Sequence, residues 1–195
     1  MKNKDYCQHK KAPSSYHMQD PDIIFEELKL KQGDIFLDIG CGAGDYSIHA
    51  SKIIGDSGKV YATDRQEESV LTFKERIEKS GIKNIEVSVS DITSNLPVKN
   101  RSIDVCLIAT VLHALDFEKH KENIFKEIMR VLKPVGRLAI IECSKKELSF
   151  GPPEQMRLDA EQIEKAMLKF GFKKCGYIDL GFNYLIQFQN EKYNC

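Results

Sequence analysis

The sequence predicts an α/β fold in which helices cover both faces of a mostly parallel sheet. Apolar strand-like runs alternate with amphipathic helix-like stretches through most of the chain, an order that is typical of parallel sheets. Two further apolar runs end the sequence, at 173–180 and 183–189, with Gly181-Phe182 between them. Strands joined by so short a turn must be antiparallel, so the last strand is expected to run against the others.

Each element has its own local signal. Asp20-Pro21 predicts a helix start, because Asp caps free N–H groups and Pro fits the first turn. Asp159 and Gln162 have the spacing of a capping box for the last helix. Pro134 and Gly136 are expected to end the long fourth helix. The intervening strands are predicted at 34–40, 59–64, 84–91, 102–110 and 137–143, and the helices between them at 44–54, 66–80 and 117–132.

Size and charge limit the possible functions. A chain of 195 residues suggests one domain. Lys+Arg and Asp+Glu balance at 29 each, so no overall positive field favours nucleic acid or an anionic membrane. No apolar run is long enough for a membrane span, and six scattered cysteines without a CxxC pair suit a reduced compartment. We expect a cytoplasmic monomer or homodimer without a metal; Cys7 and His9 are too few for a zinc site.

The turn after the first strand is the strongest functional signal. It reads Gly40-Cys41-Gly42-Ala43-Gly44, and glycines allow a backbone to turn tightly and approach a ligand. In an open α/β sheet, ligands bind beyond the carboxyl ends of the strands. Asp64 ends the second strand, where a carboxylate can bind ribose hydroxyls, and Asp91 ends the third, where it can bind an adenine amino group or cap a loop.

These segments form a series that resembles class I S-adenosylmethionine (SAM)-dependent methyltransferases. The matching stretches are LDIGCGAG, YATD, SDI, IDVCLIATVLHAL and LKPVGRLAIIE, within residues 34–143. The last two resemble small-molecule enzymes such as the ubiquinone and menaquinone C-methyltransferases. The resemblance implies a Rossmann-like seven-stranded sheet with an antiparallel last strand, and SAM as the cofactor. It does not define the acceptor.

The resemblance also implies roles for individual residues. Gly40, Gly42 and Gly44, with Cys41 among them, would line the methionine part of SAM, and Asp38 would orient the loop or a water near its amino group. Around the nucleoside, Asp64 would bind the ribose, Asp91 and Ile92 would face the adenine, and Arg65 would lie beside the adenine ring. Ala109 and Thr110 would pass behind the cofactor at the end of the fourth strand.

The catalytic residues are expected to be few. Methyl transfer from a sulfonium mainly requires alignment of donor and acceptor, and a general base is needed only if the acceptor must lose a proton. His113 follows the fourth strand and is the best candidate base, although a packing or loop-orienting role is the simpler alternative.

Two segments are candidate lids. Tyr16 and His17 precede the first helix, in a part of the chain that covers the active site in related enzymes, but a surface tail is equally compatible. The second is the loop at 151–153 with Arg157, which could bind an acidic substrate or form a surface salt bridge. We expect one methyltransferase domain over 1–195, with a flexible 1–15, a cap at 16–32, a cofactor-binding core at 33–145, and a lid loop, last helix and hairpin at 146–195.

Three other functions share some of these features. An NAD-dependent oxidoreductase has the same glycine turn, but Asp45 stands where its pyrophosphate requires Gly or Ala. A non-catalytic, regulatory SAM-binding domain would keep the pocket without turnover. Cys41, Cys106 and Cys143 would allow arsenite methylation, although Cys106 is expected to be buried and the spacing differs from those enzymes. The fourth strand lacks the Asn/Asp-Pro-Pro-Tyr type of ending found in enzymes that methylate base amino groups, so a small-molecule acceptor is favoured.

Overall fold

A computed structural model describes residues 14–146 and 151–190. A 3₁₀ turn at Ser15–Met18 precedes the first helix, and two more lie at Leu112–Ala114 and Glu154–Met156. The α-helices are α1 (Pro21–Leu28), α2 (Asp45–Ile54), α3 (Glu67–Lys79), α4 (Phe117–Val131) and α5 (Ala160–Leu168). The strands are β1 (Ile35–Ile39), β2 (Lys59–Asp64), β3 (Ile85–Val89), β4 (Ile103–Ala109), β5 (Leu132–Cys143), β6 (Phe172–Asp179) and β7 (Asn183–Asn190).

The seven strands form one sheet in the order β3-β2-β1-β4-β5-β7-β6. Strands β1 to β5 pair in parallel, whereas β7 pairs antiparallel with both β5 and β6. The predicted seven-stranded sheet with an antiparallel last strand is therefore confirmed. The strand order reverses between β1 and β4, which is where a ligand crevice is expected in this kind of sheet.

The core lies on both faces of the sheet. Side chains on a strand alternate between faces, and in β4 Cys106 and Ile108 join one apolar cluster while Val105 and Leu107 join the other. The first cluster includes inward-facing residues of α4 and α5, and the second includes those of α1, α2 and α3. Burial of β4 on both sides fixes the register of the strands whose ends form the site.

The local helix signals are confirmed at both caps. The Asp20 side chain accepts a hydrogen bond from the Asp22 backbone N–H, and Asp159 and Gln162 form the predicted capping box. The predicted start of β5 at residue 137 is wrong. Leu132 already pairs with Ile103 directly after α4, and the chain then bulges before Arg137 pairs with Val105. Pro134 and Gly136 therefore lie in this bulge, beyond the end of the helix.

The N-terminal segment is only partly within the described structure. Cys7 and His9 lie outside the described residues, as does most of the stretch predicted to be flexible. Ser15, however, is 6% exposed and begins the first 3₁₀ turn. None of the helices in residues 14–146 and 151–190 is long and apolar enough to cross a membrane.

Candidate active site

The turn after β1 is held against two neighbouring strand ends. The backbone N–H groups of Gly40 and Cys41 donate to the carbonyl of Thr63, at 2.7 and 3.0 Å. Gly40 has a φ of +75°, and a Cβ at this position would lie 2.2 Å from Cγ2 of Val111, beyond β4. Glycine is therefore required at position 40 both for its backbone conformation and for the close approach of the loop after β4.

Asp64 connects the end of β2 to the glycine turn. Its Oδ2 accepts a hydrogen bond from the Gly42 N–H at 2.9 Å, and its Oδ1 accepts one from the Gln66 N–H at 2.8 Å. Each carboxylate oxygen can accept two hydrogen bonds. The side chain is thus fixed in position and retains acceptor capacity for ligand hydroxyl groups.

Asp91 caps the loop after β3. Its Oδ1 accepts hydrogen bonds from the backbone N–H and the hydroxyl of Thr93, at 2.8 and 2.7 Å. These bonds hold the pKa of the Asp91 carboxyl below its ordinary value, and the nearby Arg65 guanidinium lowers it further. Asp91 is therefore a preoriented carboxylate, and the loop-capping role considered from the sequence is present.

A cavity of about 900 Å³ opens at these strand ends, at the reversal point between β1 and β4. Most of the residues predicted to bind SAM line it: Gly40, Cys41, Gly42, Asp64, Arg65, Asp91, Ile92, Ala109 and Thr110. His113 lines it as well. Thr110 has a φ of +56°, a strained conformation for a branched side chain that is common at functional sites.

Two other predicted cofactor residues, Asp38 and Gly44, lie behind the cavity wall. Asp38 is 1% exposed and accepts a hydrogen bond from the Ser47 hydroxyl at 2.6 Å. Burial raises the pKa of Asp38 to about 7. A Cβ on Gly44 would lie 2.2 Å from the Phe73 ring, so this glycine lets α2 pack against α3. Both residues therefore support the turn from behind.

His113 forms a pair with a buried glutamate that the sequence analysis missed. Its Nδ1 lies 2.7 Å from Oε2 of Glu142, whose side chain is completely buried near the end of β5. The backbone N–H groups of Leu112 and His113 donate to Oε1 of the same carboxylate, at 2.7 and 3.3 Å. The N–H of Cys143 donates to Oε2 at 3.3 Å. Glu142 thereby fixes both the loop after β4 and the imidazole ring.

Donor atoms of His113, Glu142 and Cys143 all lie within 4.8 Å of one another, a spacing that would allow a metal ion. The chemistry of this set does not favour one. Metal binding by a thiol requires the thiolate, and burial raises the pKa of the Cys143 thiol to about 11. The carboxylate of Glu142 already has four hydrogen-bond partners. The arrangement fits a hydrogen-bonded pair better than a metal centre.

The N-terminal segment covers one side of the cavity, but with different side chains from those predicted. Ser14, Ser15 and Met18 line the cavity. Tyr16 and His17 do not: the Tyr16 hydroxyl lies 2.9 Å from Nδ1 of His49, and Nε2 of His17 lies 3.5 Å from Asp45. The 3₁₀ turn directs Ser15 and Met18 toward the cavity instead of Tyr16 and His17, and a local sequence pattern does not reveal this.

Tyr46, in the first turn of α2, is a lining residue that the sequence analysis missed. Its hydroxyl accepts a hydrogen bond from Nε2 of Gln19 at 3.0 Å, and Oε1 of Gln19 accepts one from Asn183 at 3.1 Å. Burial raises the pKa of Tyr46 to about 12. This network connects the N-terminal segment to α2 and β7. The position of Tyr46, two residues after the glycine turn, was the available signal.

The loop at 151–153, the second candidate lid, is held by Arg157, and the surface position considered for this residue is wrong. Arg157 is 6% exposed. Its guanidinium donates to the carbonyls of Pro152, Ser144 and Lys146, at 2.8, 3.1 and 3.0 Å. Arg157 does not line the cavity, whereas Gly151, Pro152 and Phe182 do. Phe182 was missed because it lies in the β6–β7 turn, far from the other site residues in sequence.

The charges near the glycine turn also differ from expectation in one respect. Asp45 does not line the cavity, and its Oδ1 instead accepts a hydrogen bond from Nη1 of Arg76 at 2.8 Å.

Of the three cysteines considered for arsenite, Cys41 and Cys143 line the cavity, but Cys106 is completely buried. Burial raises the pKa of all three thiols, which opposes thiolate binding of a metalloid.

The fold and the cavity together define a class of protein. A glycine turn, a carboxylate after β2 and another after β3 surround one crevice in a sheet with an antiparallel last strand. This arrangement is that of a nucleoside-cofactor-binding α/β domain. The sequence series that resembles class I SAM-dependent methyltransferases supplies the residues of the crevice.

Comparison with known proteins agrees with this class. Residues 30–188 match the methyltransferase-domain family. A SAM-dependent methyltransferase from Aquifex aeolicus is 32% identical and superimposes with a TM-score of 0.82, covering 92% of this chain and 94% of that one. Demethylmenaquinone methyltransferase from Lactobacillus johnsonii is 34% identical over 122 residues, 62% of this chain and 48% of that protein. Arsenite methyltransferase from Halobacterium salinarum is 32% identical over 132 residues, 67% of this chain and 32% of that protein.

The chain belongs to the methyltransferase-domain family. The predicted resemblance to class I SAM-dependent methyltransferases is therefore confirmed, and with it a transferase and SAM as the cofactor at the level of the family. The chain spans about half the length of the curated relatives it matches first.

Proposed function

We propose that this chain binds SAM in the cavity between β1 and β4 and transfers its methyl group to a small-molecule acceptor. One observation carries the proposal: the glycine turn, Asp64 and Asp91 line a single cavity. Its volume of about 900 Å³ is at the upper end of the range for cofactor and ligand pockets, roughly 300–1,000 Å³. It therefore has room for a cofactor and an acceptor together.

The chemistry of the residues fits SAM. A Cβ on Gly42 would meet nothing within 4 Å, so the turn leaves open space on the cavity side. The carboxylates of Asp64 and Asp91 would accept hydrogen bonds from ribose and adenine, and Ile92 would pack on the ring. Arg65 would lie beside the adenine, and Ala109 and Thr110 behind the cofactor. When bound, SAM supplies a methyl group on a positively charged sulfur.

The lining residues that are not assigned to SAM indicate the type of acceptor, and we assign them to the acceptor end of the cavity. They include the apolar side chains of Val111, Leu115, Pro152 and Phe182. Arg65 is the only Lys or Arg side chain in the lining that the structure describes, and we assign it to the adenine side. An acceptor without negative charge is therefore favoured. His113, at this end, would take a proton from the acceptor.

The test is calorimetry on the native chain with SAM, S-adenosylhomocysteine and NAD, followed by assay with methyl-labelled SAM and a metabolite extract. We expect both adenosyl ligands to bind, NAD to give no heat, and a labelled small molecule to form. Binding of NAD without SAM would favour the oxidoreductase. Tight SAM binding without any labelled product, across extracts and acceptor panels, would favour the regulatory domain.

Three further predictions concern the whole protein. A cytoplasmic location, a monomeric or homodimeric state and the lack of a nucleic-acid substrate follow from the sequence and stay predictions. The division into cap, core and lid at 16–32, 33–145 and 146–195 is a proposal as well. The location of Met18 and Pro152 on the same cavity supports cap and lid roles for the first and last of these segments.

A further inference from the structure

We propose that Glu142 is a positioning residue that fixes the tautomer of His113, so that an unprotonated Nε2 faces the acceptor and removes its proton. The inference rests on the proposed function, because it assigns a role in methyl transfer. It also narrows the acceptor chemistry: the acceptor carries a proton that it loses in the methyl transfer, and the step is written here for an O–H or S–H group.

The hydrogen-bond pattern around Glu142 determines which ring nitrogen carries the proton. Both oxygens of Glu142 accept backbone N–H groups, which favours the ionised carboxylate. An ionised carboxylate is an acceptor only, so the hydrogen bond of 2.7 Å to Nδ1 requires the proton on Nδ1. In the neutral ring, Nε2 then has the lone pair. No hydrogen bond joins Nε2 to another residue in the part of the chain that the structure describes, and the His113 side chain lines the cavity.

Burial and hydrogen bonds hold the side chains of Glu142 and His113 in one orientation. The Glu142 side chain is completely buried and that of His113 is 16% exposed, so neither samples many orientations. Backbone N–H groups of Leu112, His113 and Cys143 also donate to the carboxylate. These bonds prevent Glu142 from turning away, and its negative charge stabilises the imidazolium that forms when Nε2 accepts a proton.

The proposed step balances as follows. The O–H or S–H bond of the acceptor breaks, its proton moves to Nε2 of His113, and its electron pair stays on the oxygen or sulfur. That atom forms the new bond to the methyl carbon, while the electron pair of the former carbon–sulfur bond stays with the sulfur of the donor. His113 then releases the proton to water, which restores the resting pair with Glu142.

Glu142→Gln tests the proposal because it changes the tautomer while keeping the shape. The amide oxygen would keep the bonds from the Leu112 and His113 N–H groups, so the amide NH₂ would face Nδ1 and only the longer bond from the Cys143 N–H, at 3.3 Å, would be lost. Nδ1 must then accept a hydrogen bond, which moves the ring proton to Nε2. A misplaced proton of this kind removes the base, and general bases contribute about 10²–10⁴-fold to rate.

The first measurement is the ¹⁵N spectrum of the imidazole rings in the protein without added ligand. Comparison with His113→Gln assigns the signal among the five histidines. We expect an Nδ1–H ring in the native chain and an Nε2–H ring in Glu142→Gln. A native Nε2–H or doubly protonated ring would overturn the proposal, even if the variant failed to fold.

The second measurement is product formation from methyl-labelled SAM with the same metabolite extract, alongside calorimetric SAM affinity. We expect Glu142→Gln to lose at least about 10²-fold in product formation with unchanged SAM affinity. Glu127→Gln is the matched control, because Glu127 also accepts a backbone N–H, from Leu96 at 2.6 Å, but lies outside the cavity. Unchanged turnover in Glu142→Gln would overturn the proposal, whereas absent SAM binding in the native chain would overturn the proposed function instead.

Discussion

Replacing Gly40 with alanine tests how closely the loops after β1 and β4 approach at the base of the site. The new Cβ would lie 2.2 Å from Cγ2 of Val111, far inside the roughly 3.5–4.0 Å of an ordinary carbon contact. A non-glycine residue at positive φ costs about 1–2 kcal/mol, and forced overpacking about 1–3 kcal/mol more. We therefore expect Gly40→Ala to lower the free energy of unfolding by roughly 2–5 kcal/mol.

Three companion variants separate the two causes. Gly42 also has a positive φ, +52°, but a Cβ there would meet nothing within 4 Å, so Gly42→Ala should cost only about 1–2 kcal/mol. Val111→Ala removes the contacting methyl group. The loss of unfolding free energy in the double variant Gly40→Ala/Val111→Ala should therefore be smaller than the summed losses of the two single variants by about 1–3 kcal/mol.

The assay is urea unfolding of the four variants and the native chain, with comparison of midpoints and slopes. Equal destabilisation by Gly40→Ala and Gly42→Ala would refute the steric argument. Additive effects of Gly40→Ala and Val111→Ala would do the same, because residues in direct contact are expected to couple.

Three other variants probe the site through different properties. Asp64→Asn should weaken SAM binding about 10–100-fold in calorimetry, because charge-assisted hydrogen bonds contribute about 1.5–3 kcal/mol. The control is Glu86→Gln, which changes an exposed acid on the neighbouring strand. An unchanged SAM affinity for Asp64→Asn would contradict the role assigned to Asp64. Asp38→Asn should change the pH dependence of stability. Burial raises the pKa of Asp38 in the folded state from 3.8 to about 7, so the unfolded chain loses this proton at a lower pH than the folded chain. The free energy of unfolding of the unmutated protein, relative to that of Asp38→Asn, should therefore fall from pH 4 to 7 and then level off. A difference in chemical-denaturation midpoints that does not change with pH would refute this. Arg157→Met should increase amide exchange of Met156 by releasing the three carbonyls. Lys145→Met removes only exposed contacts with Asp159 and Gln162 and should not.

Local patterns were sufficient to predict most of the fold. Short apolar runs bounded by turn residues identified all seven strands, because the burial of a strand is visible in its own local sequence. The start of β5 was missed because Leu132 joins the sheet through a bulge around Pro134 and Gly136, and pairing with Ile103 is a property of the tertiary structure. A proline followed two residues later by a glycine is locally indistinguishable from a helix end.

The site was predictable where residues lie at strand ends. Asp64, Asp91 and the glycine turn follow directly from the parallel topology, which brings carboxyl ends to one edge. Glu142 was missed because a glutamate at the end of an apolar strand has no local signal for its partner 29 residues away. Arg157 was misjudged because an arginine in a loop is usually exposed, and only the folded lid shows three backbone carbonyls around it.

The most direct test of the central claim is calorimetric titration of the native chain with SAM, alongside Asp64→Asn and the control Glu86→Gln. We predict saturable binding of one SAM per chain by the native protein and by Glu86→Gln, with a clear loss of affinity for Asp64→Asn. If SAM gives no binding to the native chain while NAD binds, the assignment of the cavity between β1 and β4 as a SAM site is contradicted.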